Sequence, residues 1–163
     1  MAIAGVREYV VHRCCIEFSK QNGTDWTLAA NQDRITDKVW LTRASVAGLF
    51  NAFSETSYQS GSPADTEWAL GSIADGIENL TFSNWAAAVS NNPPDAINKN
   101  FVLHLVADDI YIDLTFLSWQ QGRVSPGGGF SYLRASAPAA VPLPAAIGLF
   151  GAGLLAFFRR RAD

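Results

Sequence analysis

Only two cysteines occur in the 163 residues, and they are neighbours, Cys14 and Cys15. The peptide between adjacent cysteines strains the geometry of an ordinary disulfide, so the fold cannot rest on a disulfide framework. A first strand is expected from Tyr9 to Phe18, carrying both as small apolar side chains. Histidine is as scarce, with His12 and His104 alone. Such a set does not complete a zinc site, and neither a metal nor a cofactor is expected. Excess positive charge is also missing. The 12 Lys and Arg against 15 Asp and Glu give a net charge of −3 and a pI near 5.3. That balance argues against nucleic acid held on a basic surface. Near Met1 there is no apolar stretch long enough for a signal peptide, because Arg7 and Glu8 interrupt Ala2 to Val6. Residues 1–9 are therefore expected to reflect a misplaced start, with a protein that never leaves the cytosol as the alternative. The glycine run Gly127-Gly128-Gly129 lacks the following helix that a phosphate loop requires, and is expected to make a flexible or tight turn.

Aromatic residues are plentiful. Five tryptophans and ten phenylalanines suit a β-rich core or a surface that stacks on sugars. The length allows one domain plus a tail. The body is expected over 10–134 and a linker over 135–140. Val39 to Arg43 alternates and is rich in β-formers, so it reads as a strand. Asn31 to Asp37 is polar and reads as an ordered loop. Val46 to Phe53 reads as a strand or a short helix. Thr66 to Gly71 and Leu80 to Phe82 read as short strands. Asn84 is expected to cap a brief helix from Trp85 to Val89, which Asn91-Asn92-Pro93-Pro94 stops. Phe101 to Val106 is strongly apolar, and Asp108-Asp109 marks a turn. Ile110, Ile112, Leu114 and Phe116 then alternate with Tyr111, Asp113 and Thr115, which predicts an antiparallel hairpin. Phe130 to Arg134 makes the last strand. Many short strands with turn signals between them predict a mainly β domain, an antiparallel sandwich or jelly roll with one short helix.

The tail departs from this pattern. No charge occurs between Arg134 and Arg159, a gap about long enough to cross a bilayer, which needs ~20 apolar residues. Pro138, Pro142 and Pro144 break its first part, leaving Ala145 to Phe158 as the best helical stretch. A span there is short and relies on bilayer thinning. Arg159, Arg160 and Arg161 would stay on the cytoplasmic side, with the body outside. Hydropathy alone reads equally as a plain membrane anchor.

Val-Pro-Leu-Pro-Ala at 141–145, then the apolar run, then the arginine cluster, resembles a PEP-CTERM-type sorting tail of the VPLPA variant. Such tails occur on surface proteins of Gram-negative bacteria, often those that make exopolysaccharide. The resemblance implies that Val141, Pro142, Leu143, Pro144 and Ala145 are recognised by a membrane-embedded exosortase-type transpeptidase. That enzyme would remove the tail and release or attach the body, moving it from the cytoplasmic membrane to the cell surface or beyond. A second resemblance covers residues 16–134. D-W-T-L-A-A-N-Q-D-R-I-T-D-K-V-W-L-T-R-A, G-L-F-N-A at 48–52, S-P-A-D-T-E-W-A-L-G at 62–71, H-L-V-A-D-D-I-Y-I-D-L-T-F-L-S-W at 104–119 and G-G-G-F-S-Y-L-R at 127–134 look like a recurrent bacterial exoprotein domain. This domain is uncharacterised, so the resemblance implies secretion and β structure but no catalytic residue.

Candidate chemistry is sparse. Asp109 and Asp113 would share one strand face, and paired carboxylates serve glycoside hydrolysis or bind calcium. The simpler reading places Asp108 and Asp109 in a turn and Asp113 on a solvated face. Asp33, Arg34 and Asp37 suit a loop ion pair. His104, between Leu103 and Leu105, reads as a structural histidine, and nothing in the spacing favours a triad of Ser131, His104 and Asp113. Two functions remain. The preferred one is a non-enzymatic surface or matrix protein with a structural, adhesive or carbohydrate-contacting role, with extracellular polysaccharide as a partner. The alternative is a secreted polysaccharide hydrolase using Asp109 and Asp113, or Asp33 and Asp37.

Overall fold

The computed structural model describes residues 15–121 and 126–137. Tyr9 to Cys14, the expected span Ala145 to Phe158, the motif Val141 to Ala145 and the arginines Arg159 to Arg161 lie outside them. Among the described residues no helix is long and apolar enough to cross a membrane. The chain is mainly β, with antiparallel sheets and few helical turns.

The hairpin is the backbone of the larger sheet. Strands β6 (Asn100–Leu105) and β7 (Ile110–Trp119) pair with Leu103 opposite Ile112, joined through a 3-10 turn at Val106–Asp108. Asp109 closes that turn with φ of 49°, a left-handed conformation that aspartate tolerates. β8 (Phe130–Ala135) and β1 (Cys15–Lys20) extend the sheet on one side, and β5 (Thr66–Leu70) on the other, giving the order β1-β8-β7-β6-β5. A smaller sheet holds β2 (Asp33–Arg34), β3 (Trp40–Arg43) and β4 (Leu49–Asn51) in that order. Asn31 to Asp37, expected as a loop, thus contains a strand. Its polar sequence conceals this because Asp33 faces a buried partner rather than an apolar core. Leu80 to Phe82 forms no strand. The chain there follows two 3-10 turns, and only Ser83 bridges to Trp68.

Strict alternation along β7 buries Ile112, Leu114 and Phe116. It would turn Trp119 outward. An irregularity between Phe116 and Ser118 prevents this. Phe116 lies opposite Tyr132, but Ser118 lies opposite Ser131 and Trp119 opposite Phe130, so Leu117 is an extra residue. This bulge shifts the phase by one and brings Trp119 to the inward face.

The short helix α1 (Trp85–Ala88) lies over the same face, with the side chain of Asn84 accepting from the Ala87 amide at 2.9 Å. Trp85 packs edge-on against Trp68 at 4.9 Å and tilted against Phe116 at 5.0 Å. Leu41 and Leu49 of the smaller sheet, with Val39 just before it, join these rings in one buried cluster. Burying each such side chain favours folding by about 1.5–3 kcal/mol.

A buried ion pair also ties the sheets together. Arg134 of β8 donates from Nε and Nη2 to the two oxygens of Asp33 in β2, at 2.6 and 2.7 Å. The Tyr132 hydroxyl donates to Asp33 Oδ2 at 2.7 Å. Burial lowers the tendency of Arg134 to hold its proton, but the Asp33 hydrogen bond and charge outweigh it and raise the pKa. Burial, then the Asp33 charge, pushes the Tyr132 hydroxyl well above its usual range.

Two groups of outcomes follow, the first from the Asp33 cluster. Asp33→Asn leaves a buried guanidinium without its counter-charge, so it should lower the unfolding free energy in urea by about 3–5 kcal/mol. Tyr132→Phe should cost about 1–3 kcal/mol. The second concerns Lys38, which holds Asp108 at 2.6 Å. The hydrogen bond from Lys38 keeps the Asp108 carboxyl below its ordinary value of 3.8. A depressed carboxylate stabilises above its unfolded pKa, and that contribution is lost as pH falls through the folded one. Urea midpoints should therefore drop as pH falls below 3.8, and Lys38→Met should flatten part of that slope.

Candidate functional site

Asp33, Asp109 and Asp113, singled out in the sequence, have other occupations. Asp33 is held by Arg134 and Tyr132, not by Arg34 or Asp37. Arg34 instead donates to Gln32 Oε1 and lies 4.1 Å over the Trp40 ring. Asp109 Oδ1 meets His104 Nε2 at 3.3 Å, while His104 Nδ1 meets Glu67 Oε2 at 3.3 Å. The His104 ring stacks on Tyr111, centroids 4.2 Å apart and 1° from parallel. Asp113 Oδ1 accepts from the Ile73 amide at 2.9 Å. Ser131 shares a hydrogen bond of 2.7 Å with Ser118. Ser131, His104 and Asp113 are thus each bonded to different groups. Cys15 is a free, exposed thiol. Among the described residues no three potential ligands gather for a metal ion.

The glycine run has a specific task. A Cβ on Gly128, at φ of 89°, would meet Ala44 O at 2.2 Å. No larger residue fits where the chain before β8 crosses the β3–β4 turn. The same seam is pinned by Gly23 N to Gly127 O and by Gly129 N to Asn22 Oδ1.

Beside this seam opens a cleft of about 560 Å³, inside the ~300–1,000 Å³ typical of ligand sites. Its construction starts at the end of β3. Arg43, only 1% exposed, points from the smaller sheet to the larger one. Its Nε donates to Ala47 O at 2.7 Å, and its Nη1 donates to Gln120 O at 2.6 Å and Gly129 O at 3.3 Å. The guanidinium lies 3.9 Å from the centre of the Trp119 ring, the residue that the β7 bulge turns inward. Such a desolvated cation–π contact contributes ~2 kcal/mol. Across the cleft, Tyr58 rests on Gly48, where a Cβ would meet its ring at 2.6 Å. The far wall is Trp85, Ala86 and Val89 of the α1 region, followed by Asn91, Asn92, Pro93 and Pro94. Asn91, at φ of 57°, ends the helical turn and leaves the two amides exposed at the rim.

Positive charge predominates in this corner, with Asp25 acting on Lys20 only as the smallest of its influences. Burial pulls Arg43 down to about 10. Lys20, 2% exposed, donates to Gly128 O at 3.5 Å, and burial and then Arg43 lower its pKa. Among the described residues no carboxylate lies within ion-pair distance of either. Sequence reasoning used Arg43 only as the end of a strand. The available signal was a charged residue closing the otherwise apolar run Val39-Trp40-Leu41.

No curated protein and no solved structure matches the chain. The domain before the tail is therefore described by its geometry alone. For the tail a family model matches, and it covers the residues expected to carry the sorting function, Val141 to Ala145 and Arg159 to Arg161. The match supports sorting toward the cell surface by exosortase-type processing. Residues 140–162 are a PEP-CTERM protein-sorting motif, and the chain carries it behind a mainly β domain.

Proposed function

We propose that this chain is a non-enzymatic surface protein whose body contacts carbohydrate. In this reading Ala145 to Phe158 spans the cytoplasmic membrane before processing, with Arg159 to Arg161 inside. The exosortase then acts at the Val141–Ala145 motif, and the body works at the surface. Its two sheets pack face to face as a sandwich. The observation that carries the reading is the cleft between α1 and the β3–β4 turn on a chain that also bears a sorting signal. Tyr58, Pro93 and Pro94 give it partly exposed apolar surface suited to the face of a sugar ring, and Asn91, Asn92 and Gln121 give it amides suited to hydroxyls. Of the carboxylates a hydrolase would use, Asp33, Asp109 and Asp113 are already bonded to backbone or to basic side chains, which favours binding over catalysis.

Intact mass by cell fraction tests the sorting half. The body should appear outside the cytoplasm without the residues beyond the motif. Replacing Arg159, Arg160 and Arg161 by glutamate should leave full-length protein unprocessed. Full-length wild-type protein confined to the cytosol would overturn the sorting reading. For the binding half, Tyr58→Ala should weaken retention on immobilised oligosaccharides by about fivefold or more, a stacked ring contributing ~1 kcal/mol or more. Unchanged retention would remove the cleft from the account.

A further inference from the structure

We infer that the cleft is selective for acidic sugars, with the Arg43 guanidinium taking the carboxylate of a uronic-acid residue. This deepens the carbohydrate reading above and rests on it. A guanidinium has five N–H donors in a fixed fork. In Arg43 one is on Ala47 O, and the two of Nη1 face Gln120 O and Gly129 O. The two on Nη2 meet no acceptor among the described residues. Only Asp108 Oδ2 is a sealed side-chain polar atom without a partner there. Nη2 is therefore not fully sealed, although the residue as a whole is only 1% exposed, and Arg43 is part of the cleft lining.

The charge has no counter-charge either. Arg134, the other arginine buried among the described residues, has Asp33 on it with two hydrogen bonds. Arg43 has three carbonyls, an aromatic face and the repulsion of Lys20 nearby. Carbonyls supply acceptors but leave a full positive charge in a desolvated corner, and an anion entering the cleft would neutralise it. The rest of the lining decides what kind of anion. Tyr58, Pro93 and Pro94 offer apolar surface, and Asn91, Asn92 and Gln121 offer both donors and acceptors without charge. A ring with hydroxyls and one carboxylate matches that mixture better than a peptide carboxylate, which brings no hydroxyls for the amides.

The test is a binding titration of the full chain in neutral detergent, read by tryptophan fluorescence. The probes are tetragalacturonate, its fully methyl-esterified form, which keeps rings and hydroxyls but loses the charge, and tetraglutamate. The acid should bind about tenfold or more tightly than the ester, as a charge-assisted hydrogen bond requires. That preference should fall with added salt, and tetraglutamate should bind more weakly than the sugar acid. Arg43→Gln should abolish the preference. Because Arg43 also bonds the backbone, Ala86→Glu serves as a second variant, placing a carboxylate in the cleft wall from a helical position. It should abolish the preference while leaving the thermal midpoint unchanged or raised. Equal binding of acid and ester, or a preference that survives Ala86→Glu, would overturn the inference and leave the carbohydrate reading standing. Tetraglutamate binding as tightly as the sugar acid would overturn it too. Binding of none of the saccharides would defeat both.

Discussion

A guanidinium buried between two sheets must find acceptors for its N–H groups, and this demand fixes how the sheets meet. The two arginines buried among the described residues reach across in opposite directions. Arg134 leaves the larger sheet for Asp33 in the smaller one, and Arg43 leaves the smaller sheet for carbonyls at the ends of β7 and β8. Between them lies the aromatic cluster of Trp68, Trp85, Phe116 and Trp119. The aromatic contacts supply most of the favourable burial but little direction. The arginines supply direction, because each has a fixed fork that only one arrangement of acceptors satisfies.

The two clamps are not equivalent. One is complete, with a carboxylate and a tyrosine hydroxyl on the partner side. The other satisfies acceptors but not charge, and it lines a cleft instead of closing the core. That cleft depends on a chain of local features. The β7 bulge turns Trp119 inward, Trp119 carries Arg43, Gly128 lets the seam close beneath it, and Gly48 gives Tyr58 its seat. A cleft assembled this way is held by backbone irregularities, and the sorting motif at 140–162 supports its delivery toward the cell surface, where the proposed saccharide ligand would be met.

Periodicity made much of the fold legible. Alternation along Ile110 to Phe116 gave β7 its inward face, Asn84 before Trp85 gave the cap, and Val39 to Arg43 marked β3. The tail was legible for another reason, since its three parts form a linear code that needs no tertiary contact. Two strands were misread because their signals depend on distant partners. Asp33 and Arg34 look like loop residues until Arg134 and β3 are placed beside them. Leu80 to Phe82 carries β-formers but has no neighbouring strand to pair with over its length. The candidate site was illegible because its residues come from β3, the Tyr58 loop, α1 and the end of β7. Leu117 looks like one more apolar residue, and only the register with β8 reveals it as the extra one that brings Trp119 to Arg43.

The claim that Arg43 keeps an unmatched charge facing an open cleft can be tested directly by NMR of the isotope-labelled guanidinium groups. The account predicts that the Nη2 protons of Arg43 exchange with water and shift when galacturonate is added, while those of Arg134, locked on Asp33, stay protected and unmoved. Arg43 protons as protected as those of Arg134 and indifferent to galacturonate would contradict it.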